Sequence, residues 1–430
     1  MNAGPARMRR AALAEDAVAD PLDAIALAAG EPAFYWRSDE RDVEIAALGA
    51  VASIEASGPT RFHDAATALE GLRGRIDDVN AAVPLAVGGF AFGDDAPASP
   101  WEGFPSLRFF VPRVLWVRSD GVRRMYVTYP AGREQTPHTL LACTPGSRPA
   151  ATASRADDGA AWRRRVEAAV EAIGAGTLEK IVLARRHTVR TGSEPEIAAL
   201  LRALSEARPS CFTFLLRWSG RTFLGSSPER LLRLAGTDVL ADALAGTAPR
   251  GISKSHDEAL ARELATSAKE RREHRIVVDA IRSALAPLAL HLDEPSDPAL
   301  VRLPEAHHLH TPIHARLAPS PSLGLFDVAA RLHPTPAVCG SPREAACRQL
   351  ASEEPDRGWY GGAVGWVSSA GDGELAVALR AALLDDHCAH VWAGAGIVEG
   401  SSPEREFDET ERKMGSILPY FGRGDDECAA

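Results

Sequence analysis

The chain has 430 residues, of which 45% are hydrophobic, and a formal net charge of −10. This length supports a large buried core and one to three domains. The acidic balance argues against a nucleic-acid-binding protein, which usually presents a basic face, although a local positive pocket is still possible. The sequence has no run of 18 apolar residues, so no membrane-spanning helix is predicted.

The cysteines and the first residues bear on the cellular compartment. The six cysteines are Cys143, Cys211, Cys339, Cys347, Cys388 and Cys428. A large, cysteine-poor chain without a C-x-x-C pair predicts a reducing cytoplasm and no disulfide framework. Residues 1–20 lack the apolar segment of a signal peptide and predict a disordered tail.

The remaining chain predicts strands and helices that do not alternate as simple βα units. Residues 21–150 are strand-rich, with short apolar runs interrupted by Gly and Pro. A polar loop is expected over 144–160. Helices are predicted over 161–173, 257–287 and 404–418, and strands over 180–190, 212–217, 221–225, 360–369, 374–383 and 389–393. This order favours an α+β (mixed α/β) fold with mixed or antiparallel sheets flanked by helices.

Lys180 begins the apolar run 180–184, which predicts a buried strand. A lysine at this place is either an ordinary strand-end residue with its ammonium in water or a cation held at a site. The run by itself leaves both explanations open.

Two predicted helices each carry a pair of glutamates at i and i+3 spacing. Glu406 and Glu409 share one stripe with Lys413, and Glu270 and Glu273 lie on the earlier helix. Each pair alone fits a solvated, salt-bridged helix face. Together the two pairs favour a shared site for a hard cation such as Mg²⁺, which prefers oxygen ligands.

Three further positions combine a turn or strand end with a polar side chain. Glu229 lies in the turn 225–230, where a carboxylate either serves the local turn or takes part in catalysis. The turn 245–251 has backbone N–H groups and the Thr247 hydroxyl free to meet an anion. Arg380 ends an alternating apolar run, where its guanidinium is either solvated or grips a carboxylate through two hydrogen bonds.

Eight segments, taken in order, form a set that is more specific than any one of them. They are LEKIVLARR (178–186), GSSPERLL (225–232), ALAGTAPRG (243–251), SAKERREH (267–274), HHLHTP (307–312), LHPTPAVCG (332–340), DRGWYGGAVGW (356–366), and GAGI (394–397) with EREFDET-x-x-K (404–413). The set resembles the chorismate-utilising enzymes, which include anthranilate, aminodeoxychorismate, salicylate and isochorismate synthases. The resemblance covers about residues 160–422 and implies a chorismate-binding region there, with residues 21–150 as the N-terminal part of the same fold. It also implies two packed, mainly antiparallel sheets with helices outside, as in anthranilate synthase component I.

A few positions indicate the branch of the family. Members that use ammonia tend to carry Gln where this chain has Lys180, and aminodeoxychorismate synthases carry Lys where it has Ala245. The stretch 333–338, which includes Ala337, is similar to isochorismate synthases. The resemblance therefore implies an isochorismate synthase that acts on chorismate. A salicylate synthase and a catalytically silent binding paralogue are the alternatives.

The resemblance also implies roles for individual residues. Water would add at C2 of chorismate while the C4 hydroxyl leaves, with Lys180 as general base and Glu229 as general acid. Lys180 must then be uncharged when it accepts a proton, and Glu229 must carry one. Mg²⁺ would be held by Glu273 and Glu409, with Glu270 and Glu406 in support. The substrate would be bound by Thr247, His308, Ala337, Tyr360, Arg380, Gly396 and Lys413.

The expected partners follow from the same resemblance. The enzyme is expected to be a monomer that binds chorismate and Mg²⁺. No glutamine amidotransferase segment is present, and no amidotransferase subunit, nucleic acid or membrane partner is expected.

Overall fold

The computed structural model describes residues 8–13, 20–28, 30–77, 83–131, 159–191, 196–320, 323–385 and 388–421. The strands are β1 (Met8–Leu13), β2 (Ala33–Ser38), β3 (Val43–Ala56), β4 (Ile76–Asp77), β5 (Pro84–Phe90), β6 (Leu107–Ser119), β7 (Val122–Pro130), β8 (Lys180–Arg190), β9 (Phe212–Trp218), β10 (Arg221–Ser227), β11 (Arg230–Ala235), β12 (Asp238–Pro249), β13 (Ala289–Leu292), β14 (Ala299–Arg302), β15 (Ala306–Leu317), β16 (Gly340–Ser341), β17 (Ala363–Ser368), β18 (Gly373–Val377), β19 (Ala381–Leu384) and β20 (Cys388–Ile397). The α-helices are α1 (Pro21–Leu27), α2 (Arg61–Arg73), α3 (Gly159–Gly174), α4 (Ile197–Ala207), α5 (Lys254–Thr266), α6 (Ala268–Leu285), α7 (Leu325–Leu332), α8 (Arg343–Glu353) and α9 (Pro403–Met414). In these ranges, no helix is both long and apolar enough to cross a membrane.

Two rows of antiparallel strands share the long strand β6. One row runs β8–β20–β19–β10–β9–β2–β3–β6–β7–β1. The other runs β6–β5–β17–β18–β11–β12–β15. Strands from the N-terminal third therefore belong to both rows, and the predicted mixed α/β fold with mainly antiparallel strands is confirmed.

Two hydrophobic clusters follow from the two faces of the strands. Along β9, Phe214 and Leu216 belong to a large cluster that also contains Val364 of the second row, so the rows pack against each other. Leu215, between them in sequence, belongs to a smaller cluster on the opposite face. Helices α1 and α4 cover that face with residues such as Leu201, and their apolar stripes explain why they lie outside.

The long helix predicted over 257–287 is wrong as a single element, because α5 and α6 are separated at Ser267. This residue has an extended backbone conformation (φ −63°, ψ 118°), and its side chain accepts a hydrogen bond from the Glu270 N–H. A serine that satisfies a free N–H group at a helix start is a common N-cap, and it starts α6 in a new direction. The helix predicted over 161–173 is confirmed as α3.

The single strand predicted over 374–383 is also wrong, because β18 and β19 are separated by a turn at Arg380. Arg380 has a positive φ of 46°, which interrupts the strand. Its carbonyl accepts a hydrogen bond from Ser226 N at 3.1 Å and so fixes the turn to β10. Gly225 permits this approach, since a Cβ there would lie 2.7 Å from the Arg380 carbonyl oxygen.

Other predicted elements differ at their ends. The strand predicted over 360–369 begins at Ala363, and the last predicted helix ends at Met414 instead of residue 418. The polar loop predicted over 144–160 lies outside the described residues as far as residue 158, and its last two residues begin α3.

The disordered tail predicted for residues 1–20 is wrong for Met8–Leu13, which pair with β7 as strand β1. The reason is Arg10, whose wholly buried guanidinium donates hydrogen bonds to the carbonyls of Pro84 at 2.8 Å and Leu85 at 3.2 Å. Carbonyl partners make burial of this charge tolerable, and nothing in the local sequence announces them. Residues 1–7 and 14–19 lie outside the described part of the chain.

Candidate active site

Lys180 is the first residue of β8, which lies between β16 and β20. Its side chain is 1% exposed, and its Nζ lies 2.9 Å from Oε1 of Glu273 on α6. Gly396 of β20 leaves room for this pair, because a Cβ there would lie 2.4 Å from Glu273 Oε1 and 3.1 Å from Lys180 Cε. The ordinary explanation of a solvated strand-end lysine is therefore wrong, and Lys180 is buried in an ion pair with Glu273.

Glu229 lies in the turn between β10 and β11 and is 2% exposed. No hydrogen-bond partner for its Oε1 is found in the described part of the chain. Burial, and then the charge of Asp242, raises the pKa of Glu229 to about 8, although Lys180 and Arg380 act in the opposite direction. Glu229 is thus protonated at neutral pH and has a proton to donate.

A chain of hydrogen bonds joins Arg380, His308 and Thr247. Nη2 of Arg380 lies 3.0 Å from Nε2 of His308, whose Nδ1 lies 3.1 Å from the Thr247 Oγ1. Burial, followed by the charge of Arg380, holds the pKa of His308 well below its ordinary value, so the ring is neutral. Because arginine only donates, Nε2 accepts and Nδ1 carries the proton toward Thr247. The Thr247 hydroxyl can then donate its own proton to a ligand.

The two predicted glutamate pairs lie on α6 and α9, next to three lysines. Glu273 pairs with Lys180, Glu409 pairs with Lys413 at 2.6 Å, and Glu406 lies 3.4 Å from Lys269. The fourth carboxylate, Glu270, accepts a hydrogen bond from the Thr247 N–H at 3.0 Å and lies 3.7 Å from Lys269. The ordinary explanation of solvated helix faces is therefore wrong for these glutamates, which are buried or half-buried.

The carboxylates affect one another electrostatically. Burial, followed by the charge of Glu273, raises the pKa of Glu270, and burial, followed by the charge of Glu409, raises the pKa of Glu406 to about 7. Like charges at this range repel, and a cation relieves the repulsion.

The four glutamates could hold a hard divalent cation, but they are not gathered around one point. Within the described ranges, no group of three or more His, Cys, Asp or Glu side chains is arranged to hold a metal ion. The ion pairs with Lys180, Lys269 and Lys413 account for this arrangement. The donor set consists of carboxylate oxygens, the ligand type that Mg²⁺ prefers, so the residue types fit this ion.

One cavity brings most of the predicted residues together. The space that the centre of a water-sized molecule can occupy in it is about 50 Å³. The predicted residues that line it are Glu229, Thr247, Glu273, His308, Ala337, Tyr360, Arg380, Gly396, Glu409 and Lys413. Lys180 lies behind this wall through its contacts with Glu273 and Gly396. Glu270 and Glu406 line an adjoining cavity, which also includes Thr247 and Glu409.

Three buried residues support the site and were not predicted. Arg357 lines the cavity and donates hydrogen bonds to the carbonyls of Val182 at 3.2 Å and Val338 at 2.5 Å. Glu305 pairs with Arg380, and Asp242 acts on Glu229. The i, i+3 pair of Glu354 and Arg357, directly before the W-Y-G-G motif, was a possible signal for the first. The other two depend on long-range contacts, and their local sequence carries no such signal.

A comparison with known families decides the family. The model described as "Chorismate binding enzyme" matches residues 12–422. The chain belongs to the chorismate binding enzyme family.

Individual relatives of this chorismate binding enzyme agree with that result. The chain is 34% identical to "Salicylate biosynthesis isochorismate synthase" from Pseudomonas aeruginosa over 424 residues, which cover 93% of this chain and 87% of that protein. It superimposes on the structure of "MenF, the Menaquinone-Specific Isochorismate Synthase from Escherichia Coli" with a TM-score of 0.78 and 28% identity, covering 97% of this chain and 95% of that one. Anthranilate synthase component I from Streptococcus pneumoniae, at 23% identity and a TM-score of 0.69 over 87% of this chain and 92% of that one, shares the fold. The predicted family and fold are thus confirmed.

Proposed function

We propose that this chain is a Mg²⁺-dependent isochorismate synthase, which converts chorismate to isochorismate. The observation that carries the proposal is that two buried ionisable groups lie at one cavity. Glu229 holds a proton because of its burial, and Lys180 lies behind the lining residue Glu273, with which it forms an ion pair. An acid and a base at one cavity suit a reaction that adds water at one ring carbon and removes hydroxide at another. The names of the relatives at 28% and 34% identity support the same reaction.

The proposed reaction conserves all its atoms. The oxygen of a water molecule bonds to C2 of the ring while the uncharged Lys180 amine takes the water proton. The C1=C2 π electrons move to C1–C6, the C5=C6 π electrons move to C4–C5, and the C4–O bond breaks. The departing hydroxide takes the proton of Glu229 and leaves as water. The product is an isomer of the substrate, and the two residues end with exchanged proton states.

Cationic and neutral donors would hold the two carboxylates of chorismate. Arg380 and Lys413 supply positive charge, Tyr360 and the Gly396 N–H supply hydrogen bonds, and all four residues line the cavity. Thr247 would donate from the hydroxyl that His308 orients. Ala337 would contribute apolar surface beside the ring.

The proposed Mg²⁺ would be held by Glu273 and Glu409, with Glu270 and Glu406 in support. When bound, it would neutralise carboxylate charge and polarise a substrate oxygen. Lys180 would then lose Glu273 as its sole ion-pair partner among the described residues.

The proposal is tested by incubating the purified protein with chorismate, with and without Mg²⁺, and separating the products. Isochorismate that accumulates only with Mg²⁺ is the expected result. Accumulation of salicylate and pyruvate without a second enzyme would assign the chain to the salicylate synthases. Chorismate binding without turnover would identify a silent paralogue. The expectations of a monomer in the cytoplasm, with no amidotransferase subunit, belong to the same proposal.

A further inference from the structure

Arg380 is oriented by two buried partners on different edges of its guanidinium. Its Nε donates to Oε1 of Glu305 at 3.3 Å, and its Nη2 donates to His308 Nε2 at 3.0 Å. The Arg380 backbone has a positive φ of 46° and lies between β18 and β19. With these two nitrogens engaged, Nη1 and the second Nη2 proton are left to meet a ligand in the cavity.

Glu305 itself lies between two arginines. Its side chain is 8% exposed, and its Oε2 lies 3.8 Å from Nε of Arg208, which is 7% exposed and donates a hydrogen bond to the Ser416 carbonyl at 2.5 Å. A buried carboxylate is costly unless it is paired, so this position is specific to the two guanidinium groups. One carboxylate between two arginines leaves one positive charge in excess, which a carboxylate of the substrate can neutralise.

We propose that Glu305 is a positioning residue, which turns Arg380 so that its free edge binds a ring or side-chain carboxylate of a dicarboxylate substrate. The inference rests on the proposed function, because it assigns Arg380 to the chorismate carboxylates. It predicts that Glu305 controls substrate affinity, whereas the chemical step depends on Lys180 and Glu229.

The test is the isosteric variant Glu305→Gln, measured for KM and kcat. Loss of the anion frees the guanidinium to turn, so KM is expected to rise about 10-fold with kcat within about 3-fold. Glu305→Asp, which restores the charge on a shorter side chain, is expected to recover part of the affinity. The matched control is Glu31→Gln, which breaks the half-buried pair with Arg113 away from this site and is expected to leave KM unchanged.

A purely structural role is separated by the double variant Glu305→Gln/Arg208→Met, which removes one excess cation. If Glu305 only balances buried charge, the double variant recovers both the melting temperature and KM. The positioning role predicts that KM stays high after the melting temperature has recovered. An unchanged KM in Glu305→Gln would overturn the proposal. Chorismate titration in a Lys180→Ala background tests the same affinity without turnover, so a failure of the proposed reaction is distinguishable from a failure of this inference.

An independent observation concerns two thiols on the other side of the catalytic strand. Sγ of Cys339 lies 3.1 Å from Sγ of Cys347, and both are free. A disulfide bond is about 2.05 Å long, so the two sulfurs lie about 1 Å beyond bonding distance. Cys339 is wholly buried, whereas Cys347 on α8 is half-buried and can be reached by an oxidant.

The backbone around Cys339 is joined to the strand that carries Lys180. The Cys339 carbonyl accepts a hydrogen bond from Val182 N at 2.7 Å, and Ser341 pairs with Lys180 across β16 and β8. Val338, the preceding residue, lines the cavity. A shift at Cys339 is therefore transmitted to the wall of the site.

We infer that Cys339 and Cys347 form a reversible disulfide with each other when a small-molecule disulfide oxidises them, and that this bond lowers turnover. The two thiols lose two protons and two electrons, which reduce one molecule of oxidised glutathione to two of reduced glutathione. This inference goes beyond the proposed function, and formation of the bond is measurable without any activity.

The experiment equilibrates the full chain in glutathione buffers of increasing oxidation and maps disulfides by peptide mass spectrometry. A Cys339–Cys347 peptide pair is expected, with a several-fold loss of kcat/KM that dithiothreitol reverses. Cys347→Ser is expected to have the activity of the reduced wild type and to lose the response to oxidised glutathione. Cys388→Ser is expected to keep both the activity and the response. Absence of the peptide pair in the most oxidised buffer would overturn the inference, and a pair that forms without loss of activity would overturn its regulatory part.

Discussion

Glutamates that line the same cavity have opposite surroundings. Glu229 is buried, no partner for its Oε1 is found among the described residues, and its pKa is raised to about 8. By contrast, Glu273 lies 2.9 Å from the Nζ of Lys180, and Glu409 lies 2.6 Å from the Nζ of Lys413. The comparison teaches that surroundings, not residue type, decide which carboxyl group serves as an acid and which as an anion.

The largest expected effect comes from removing the side chain of Lys180, the ion-pair partner of Glu273. Lys180→Ala is expected to lower turnover by about 10³–10⁴-fold, because no other described base lies at this position. Chorismate affinity, measured by titration calorimetry, is expected to change little. Lys254→Ala, at the exposed start of α5, is the control. Wild-type turnover in Lys180→Ala would remove this residue from the mechanism.

The role of Glu229 as a proton donor is tested by Glu229→Gln, which keeps the shape of the side chain and removes the acid. Turnover is expected to fall by about 10²–10³-fold, since hydroxide then leaves without a proton donor. Steady-state rates with chorismate measure the effect. A variant that retains more than about a tenth of wild-type turnover would show that another group protonates the leaving group.

The same substitution has a consequence for stability. Because folding raises the pKa of Glu229 from 4.5 to about 8, the folded state holds a proton that the unfolded state releases between these values. The free energy of unfolding of the wild type therefore falls as the pH rises through this window, by on the order of 3–5 kcal/mol, and glutamine is free of this loss. Urea unfolding at pH 5 and pH 9 should show that the variant gains stability over the wild type toward pH 9. Parallel pH dependences in both proteins would mean that Glu229 is ionised in the folded state.

The proposed Mg²⁺ site is tested by a pair of substitutions on α9. Glu406→Gln removes one carboxylate of the proposed Mg²⁺ site, and the apparent Mg²⁺ dissociation constant is expected to rise about 10–100-fold. Glu404→Gln is the matched control, because Glu404 lies on the same helix but is exposed and pairs with Arg163 on the surface. Activity restored after EDTA treatment by titration with Mg²⁺ measures both constants. Equal constants in the two variants would remove Glu406 from the site.

The sequence predicted the participants of this site better than their arrangement. Ordered motifs placed Lys180, Glu229 and the four glutamates. In the structure the glutamates line two cavities that share Thr247 and Glu409, and Lys180 lies behind Glu273. The break at Ser267 was missed because helical periodicity continues across a capping serine. Arg380 was predicted at the end of a strand, but its positive φ depends on contact with Ser226 of a different strand.

Long-range pairing also explains what the sequence did not reveal. Arg10 falls within the tail predicted to be disordered, because its carbonyl partners lie more than 70 residues away in sequence. Glu305 has no periodic or motif context, and its importance depends on Arg208 and Arg380, which are far from it in sequence. A single sequence reports local preference well, whereas buried charges are identified by partners that only the fold brings near.

The smallest expected effect tests the chain of hydrogen bonds that joins Arg380, His308 and Thr247. If neutral His308 donates from Nδ1 to Thr247, the Thr247 hydroxyl proton is directed at the substrate. Thr247→Val keeps the volume but removes this donor, so KM is expected to rise about 3–10-fold, the usual range for one hydrogen bond. Thr247→Ser keeps the donor and should hold KM within about 2-fold of the wild type. Because the methyl group is lost in Thr247→Ser and the hydroxyl in Thr247→Val, a wild-type KM in Thr247→Val together with a raised KM in Thr247→Ser would mean that Thr247 acts by packing alone.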